Sequence, residues 1–111
     1  MKRGDLYMVN FEPSVSGEPA RTRPAVLLTN DLANETLPRL VVAPVISNTS
    51  REYPVDVMLP QDTCGLNESS RIQLNYVREL NRNRIGSYLG GLTKSQLTDL
   101  DAKLKVHLGL S

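Results

Sequence analysis

The residues best suited to chemistry are Glu18, Arg21 and Arg23, a carboxylate and two guanidinium groups gathered at the end of a turn-rich segment. That segment, residues 12–22, carries Pro13, Ser14, Ser16, Gly17 and Pro19, which sustain neither a helix nor a central strand. It runs into the apolar residues 25–29, which read as a buried strand. Charged groups at such a junction are fixed by the scaffold on one side and adapt to a ligand on the other. An arginine there can hold the non-bridging oxygens of a phosphodiester as negative charge builds on them. If the diester belongs to RNA, its own 2′-hydroxyl is the nucleophile. The protein then need only align that hydroxyl, stabilise the phosphorane and move two protons. On a merely solvated loop, the same arginines would do no more than keep the chain soluble.

Composition narrows the remaining classes. A chain of 111 residues reads as one domain, 1–111, long enough to bury a core without staples. Hydrophobic residues make up 40%, and no run of them approaches the roughly 20 needed to span a bilayer. The start, MKRGDLY, has no apolar stretch behind its basic residues, and Cys64 is the lone cysteine, so a cytoplasmic protein without disulfides is expected. One cysteine and one histidine cannot build a structural zinc site, and neither a phosphate-binding GxxxxGK nor a GxGxxG occurs. No metal or cofactor is therefore expected. The net charge of +1 does not advertise nucleic-acid binding, but arginine outnumbers lysine nine to four. Arginine is the better fork for phosphate and the better plane for stacking. Arg71, Arg78, Arg82 and Arg84 lie close in sequence and could form a local basic face or a scatter of solvated charges.

The elements that must position these groups are mostly strands. Strands are expected at 6–11, 25–29 and 40–46, the last apolar on both faces, with Pro44 implying a bulge or an edge near its end. Val55, Val57 and Leu59 alternate with Asp56 and Met58, and Ile72, Leu74 and Tyr76 alternate with Gln73 and Asn75, giving two half-buried strands. Asn30, Asp31 and Asn34 read as a turn, and 60–70 as a loop turning at Gly65 and Asn67. Residues 79–89 read as a helical turn and a short strand interrupted at Gly86, with Gly90-Gly91 as a break. Thr93 and Gln96 form a capping box for a final helix whose apolar stripe is Leu97, Leu100, Leu104 and Leu108, closed by Gly109. His107, late in that helix, reads as structural, and Cys64 as inert. The expected fold is mainly β, a small, strongly bent antiparallel sheet or β-barrel with a C-terminal helix.

Gly4-Asp5, Phe11, Pro13, Glu18 and Arg23-Pro24-Ala25-Val26 stand at the spacing found in the MazF/PemK (Kid) toxins, with Ser16-Gly17 in place of that family's Gly-Ser. The stretch VVAPVISN resembles the family's third strand, and the terminal helix also matches, so the resemblance covers nearly the whole chain. It implies an SH3-like barrel that forms a homodimer and cuts single-stranded RNA without a metal, leaving 2′,3′-cyclic phosphate and 5′-hydroxyl ends. It also implies a cognate antitoxin of the MazE type. The family's catalytic arginine falls on Arg23, best used electrostatically, since a guanidinium group holds its proton too tightly to be a ready proton carrier. Glu18 becomes the candidate acceptor of the 2′-hydroxyl proton, or a partner that orients Arg23. The family's catalytic threonine falls on Ile46, which donates no hydrogen bond. Ser47 is the expected replacement, with Thr49 the other nearby hydroxyl. A one-residue step reverses the face of a strand, so Ser47 serves only if Pro44 or a bulge shifts the register. Arg21, Thr49, Asn75 and Arg78 are the positions expected to touch RNA. Arg21 stands where relatives often carry a glycine, and Asn75-Tyr76 where many have Asp-Gln. Ile46 keeps open an inactive SH3-like binding module. A gyrase poison of the CcdB type has less support: that family uses a C-terminal Trp-Gly-Ile, and this chain ends Leu108-Gly109-Leu110-Ser111 without any tryptophan.

Overall fold

The structure, a computed structural model, describes residues 1–12 and 21–110. Within them lie seven strands, β1 (Asp5–Asn10), β2 (Thr22–Leu27), β3 (Arg39–Ile46), β4 (Val57–Leu59), β5 (Ser70–Ile72), β6 (Arg78–Asn81) and β7 (Ile85–Gly91). Two helices, α1 (Asp31–Thr36) and α2 (Lys94–Leu108), complete the fold. The strands pair antiparallel in the order β4-β5-β3-β2-β1-β7, with β6 also on β3. This is the mainly β, curled sheet with a C-terminal helix that the alternation predicts.

β3 is apolar on both faces because the sheet curls over two cores. Val26, Ala43, Val45 and Ile72 pack on one face with Leu100 of α2. Ala25, Leu27, Leu40, Val42 and Leu80 pack on the other, with Val9 and Phe11. One edge of β3 is shared: residues 39–42 pair with β6, whereas Val45 and Ile46 pair with β5. Pro44 falls at the changeover. Its carbonyl accepts from the Gln73 amide at 2.9 Å, so its donorless nitrogen faces the same gap between β6 and β5. The pairing of Ala25, Val26 and Leu27 with Pro44, Ala43 and Val42 runs without a shift. Pro44 therefore makes neither a bulge nor a sheet edge.

Several local expectations give way to tertiary context. Asn30 is not merely a turn residue: its side chain accepts from the Ala33 amide and caps α1, a helix too short to show an apolar period. The strand expected through Tyr76 stops at Ile72, and Leu74–Tyr76 form a 3₁₀ turn that tucks Leu74 into the core. Gly86 and the Gly90-Gly91 pair lie inside β7 rather than breaking it. Asp56, expected on a solvated face, is fully buried.

The final helix follows its sequence closely at both ends. The Thr93 hydroxyl accepts from the Gln96 amide at 3.2 Å, and Gln96 Oε1 accepts from the Thr93 amide at 2.8 Å. Gly109 closes the helix in the left-handed conformation. The stripe is shorter than it looks, however. Leu100 is buried and Leu97 and Leu104 pack against the core, but Leu108 is 54% exposed.

Candidate active site

The first wall of a cleft is the start of β2. Arg21 has φ 68, a left-handed conformation that costs a residue with a Cβ about 1–2 kcal/mol. Its amide donates to Glu12 Oε1 at 2.8 Å, and its carbonyl accepts from the Phe11 amide at 3.0 Å. Glycine would adopt this geometry without that cost. Arg23 then pairs with Val9 of β1. On the other edge of β2 the pairing with β3 ends at Ala25–Pro44, and Arg23 and Ile46 both line the cleft beyond it.

The second wall is residues 66–68. It is presented by a strained turn, with Asp62, Cys64 and Gly65 all at positive φ. A Cβ on Gly65 would lie 2.0 Å from the Leu89 carbonyl oxygen, and one on Gly90 would lie 2.6 Å from the Cys64 carbonyl. The two backbones interlock, so only glycine fits at either position. Cys64 Sγ adds a 3.2 Å contact to Gln96 Oε1, tying the turn to the cap of α2. Leu66 is buried, and the Ser70 hydroxyl donates to the Glu68 carbonyl at 3.0 Å.

Between the walls is a cleft of about 490 Å³. Arg21, Thr22, Arg23 and Pro24 line one side, and Leu66, Asn67, Glu68 and Ser70 the other, with Val45, Ile46 and Ser47 between them. Two arginines thus line one side and one acidic residue, Glu68, the other, with Ile46 and the Ser47 hydroxyl between them. Ser47 does reach the cleft, but not by a shift of register. β3 ends at Ile46, so strand parity no longer governs the exposed Ser47 that follows. Beside it, the Asn48 carbonyl accepts from Arg71 Nε at 2.8 Å. Arg71 is itself buried, bonded through Nη1 to Asp56 Oδ2 at 2.7 Å and set over the Tyr53 ring at 5.6 Å. The backbone next to Ser47 is anchored by a buried ion pair.

Of the residues singled out in the sequence, the structure brings Arg21, Arg23 and Ser47 together and leaves others apart. Thr49 and Asn75 are exposed and do not line the cleft. Arg78 lies over the Phe11 ring at 5.7 Å and donates to the Phe11 carbonyl, again away from the lining. Glu18 lies outside the described residues. The arginines after residue 70 do not make one basic face: Arg71 is buried, Arg82 donates to the Leu37 carbonyl and Arg84 to the Asn10 carbonyl. Sequence reasoning missed Asn67 and Glu68. Their one signal was the turn read at Gly65 and Asn67, which marks a bend without saying what it faces. Among the described residues, no group of three or more histidine, cysteine, aspartate or glutamate side chains could hold a metal ion.

Comparison with known proteins places this chain in a family. Residues 2–108 match the family described as PemK-like, MazF-like toxin of type II toxin–antitoxin systems. The chain is 36% identical to endoribonuclease MazF9 of Mycobacterium tuberculosis, over 99% of this chain and 98% of that protein. It is 29% identical to endoribonuclease MazF of Staphylococcus epidermidis, over 100% of this chain and 93% of the other. The crystal structure of MazF from Deinococcus radiodurans superposes with a TM-score of 0.84 at 28% identity, covering 98% of this chain and 96% of that one. The matches run essentially end to end, and the chain belongs to the PemK-like, MazF-like toxin family of type II toxin–antitoxin systems.

Proposed function

We propose that the chain is an endoribonuclease toxin that cuts single-stranded RNA in the cleft between β2 and residues 66–68. The observation that carries this is the meeting of Arg21, Arg23 and the Ser47 hydroxyl in one cleft, in a chain whose relatives are named endoribonucleases. The ribose 2′-oxygen attacks the adjacent phosphorus as the P–O5′ bond breaks, giving a 2′,3′-cyclic phosphate and a 5′-hydroxyl. One proton leaves the 2′-hydroxyl and one reaches the departing O5′. Arg23 stabilises the charge on the phosphorane, and Ser47 donates a hydrogen bond to a non-bridging oxygen. Arg21 holds a neighbouring phosphate, and Glu18 accepts the 2′-hydroxyl proton. Because the substrate brings its own nucleophile, no metal-activated water is required. Thr49 and Asn75 meet RNA outside the cleft, and Arg78 supports the wall through Phe11.

The partners follow the same reading. A solved Deinococcus radiodurans structure pairs MazE with MazF, with a TM-score of 0.77 and 26% identity to this chain. A MazE-type antitoxin is the corresponding partner here. A second copy of the chain is the other, supported by exposed apolar side chains around the end of α2, where Val106 within the helix and Leu110 just past it are 73% and 59% exposed. The described residues contain no helix long and apolar enough to cross a membrane, and the RNA substrate sets the work in the cytoplasm.

The test is incubation of purified protein with a long unstructured RNA in excess EDTA, with mapping of new 5′ ends. Discrete cuts with 5′-hydroxyls are expected, and Arg23→Ala should abolish them while keeping fold and antitoxin binding. Cleavage that survives Arg23→Ala would move the chemistry elsewhere. A folded wild type that cuts no RNA would favour an inactive binding module, with Ile46 as the disabling residue.

A further inference from the structure

The carboxylate of Glu68 is out of place in a cleft that only bound phosphate. It stands on the wall opposite Arg21 and Arg23 and would repel a phosphodiester pushed against it. Its neighbours differ in kind from the cationic wall: Leu66 is buried and apolar, and Asn67 carries an amide with both donors and an acceptor. The wall is also built rather than incidental. Three left-handed residues and the Gly65–Gly90 interlock fix its approach, and the Ser70 hydroxyl bonds the Glu68 carbonyl at 3.0 Å.

We propose that residues 66–68 form a base-reading wall, in which Asn67 and Glu68 select the nucleobase adjoining the scissile phosphate. This rests on the ribonuclease reading of the same cleft. A volume of about 490 Å³ suits one nucleotide. With the phosphate held at Arg23 and Ser47, the base lies over Ile46 and turns its Watson–Crick edge toward Glu68. An ionised carboxylate only accepts hydrogen bonds, so it favours bases that present an amino group: cytosine, adenine or guanine. Uracil offers a single N–H flanked by two carbonyl oxygens, and these oppose the carboxylate. The wall therefore discriminates against uracil by repulsion as well as selecting by attraction. Asn67 can bond either a donor or an acceptor and completes the edge.

Two measurements in parallel test this. Cleavage sites are mapped on a random-sequence RNA pool, and bound sequences are enriched from a 2′-O-methyl pool that the protein cannot cut. Wild type, Glu68→Gln and Asn67→Ala are compared, and thermal unfolding checks that these exposed positions leave the fold intact. Wild type should use uracil on the order of tenfold less than the other bases at one position next to the cut. Glu68→Gln should bring uracil to within about twofold of the others there, because the amide adds a donor for a uracil carbonyl. Asn67→Ala should weaken selection at that same position. Unchanged base preference in Glu68→Gln would overturn the proposal. So would an equal fall in cleavage of every sequence, which would assign the carboxylate to proton transfer. Should wild type cut nothing, the ribonuclease reading fails, and the bound pool alone decides whether this wall reads a base.

Discussion

Removing the carboxylate of Asp56 should be among the most damaging single changes in this chain. Asp56 is fully buried, and its Oδ2 accepts from Arg71 Nη1 at 2.7 Å and from the Tyr53 amide at 2.8 Å. The Arg71 side chain is only 6% exposed, so Asp56→Ala strands a guanidinium group out of water. Breaking one half of a buried pair costs about 3–5 kcal/mol, chiefly from the uncompensated charge. For a domain whose total stability is about 5–15 kcal/mol that loss is large. At about 4 °C per kcal/mol for a chain of this size, the melting temperature should fall by about 12–20 °C. A double variant, Asp56→Leu with Arg71→Met, removes both charges and should recover most of the loss. It should stay about 1–2 kcal/mol below wild type, for the bonds no longer made to Tyr53 and Asn48. The assay is urea unfolding at a fixed protein concentration, with the slope of each transition compared before the free energies are. A loss below about 1 kcal/mol in the single variant would refute the reasoning, as would a double variant no better than the single. Because Arg71 also holds the Asn48 carbonyl beside Ser47, cleavage by the single variant should fall further than its unfolded fraction explains.

Other perturbations address the site and its supports. Ile46→Thr places a hydroxyl in the cleft that Arg23 lines and should raise kcat/KM for RNA about tenfold; no gain would show that Ser47 already fills that role. Gly65→Ala drives a Cβ to within 2.0 Å of the Leu89 carbonyl oxygen at a positive φ, and should cost more than about 2 kcal/mol by chemical denaturation. Arg21→Gly relieves the left-handed strain, so stability should hold within about 1 kcal/mol of wild type or improve, while the slope of log affinity for RNA against log salt becomes shallower by about one. An unchanged slope would remove Arg21 from the RNA contacts.

Short-range pattern made much of this chain legible. Alternation and apolar runs located β1, β2 and β3, and the Thr93–Gln96 box and Gly109 marked both ends of α2, because each signal lies within a few residues of its consequence. The misreadings share a cause. Asp56 looked solvent-facing because alternation assigns faces but cannot see Arg71 arriving from the neighbouring strand. Leu108 looked buried because a helical stripe does not state which of its turns the core covers. Pro44 looked disruptive because the gap it fills exists only once β6 and β5 have both paired with β3.

The same division runs through the site. By itself the sequence determined one wall: Arg23 fixed at the head of an apolar strand, with Arg21 two residues before it in a turn-rich approach. Only the tertiary structure decided what faces that wall. Asn67 and Glu68 lie more than 40 positions away in the chain, brought there by the interlock of Gly65 with Gly90 and by the β3–β5 pairing. Local sequence carries the conformational preferences of adjacent residues. Which distant loops meet across a cleft depends on long-range backbone contacts that form together on folding.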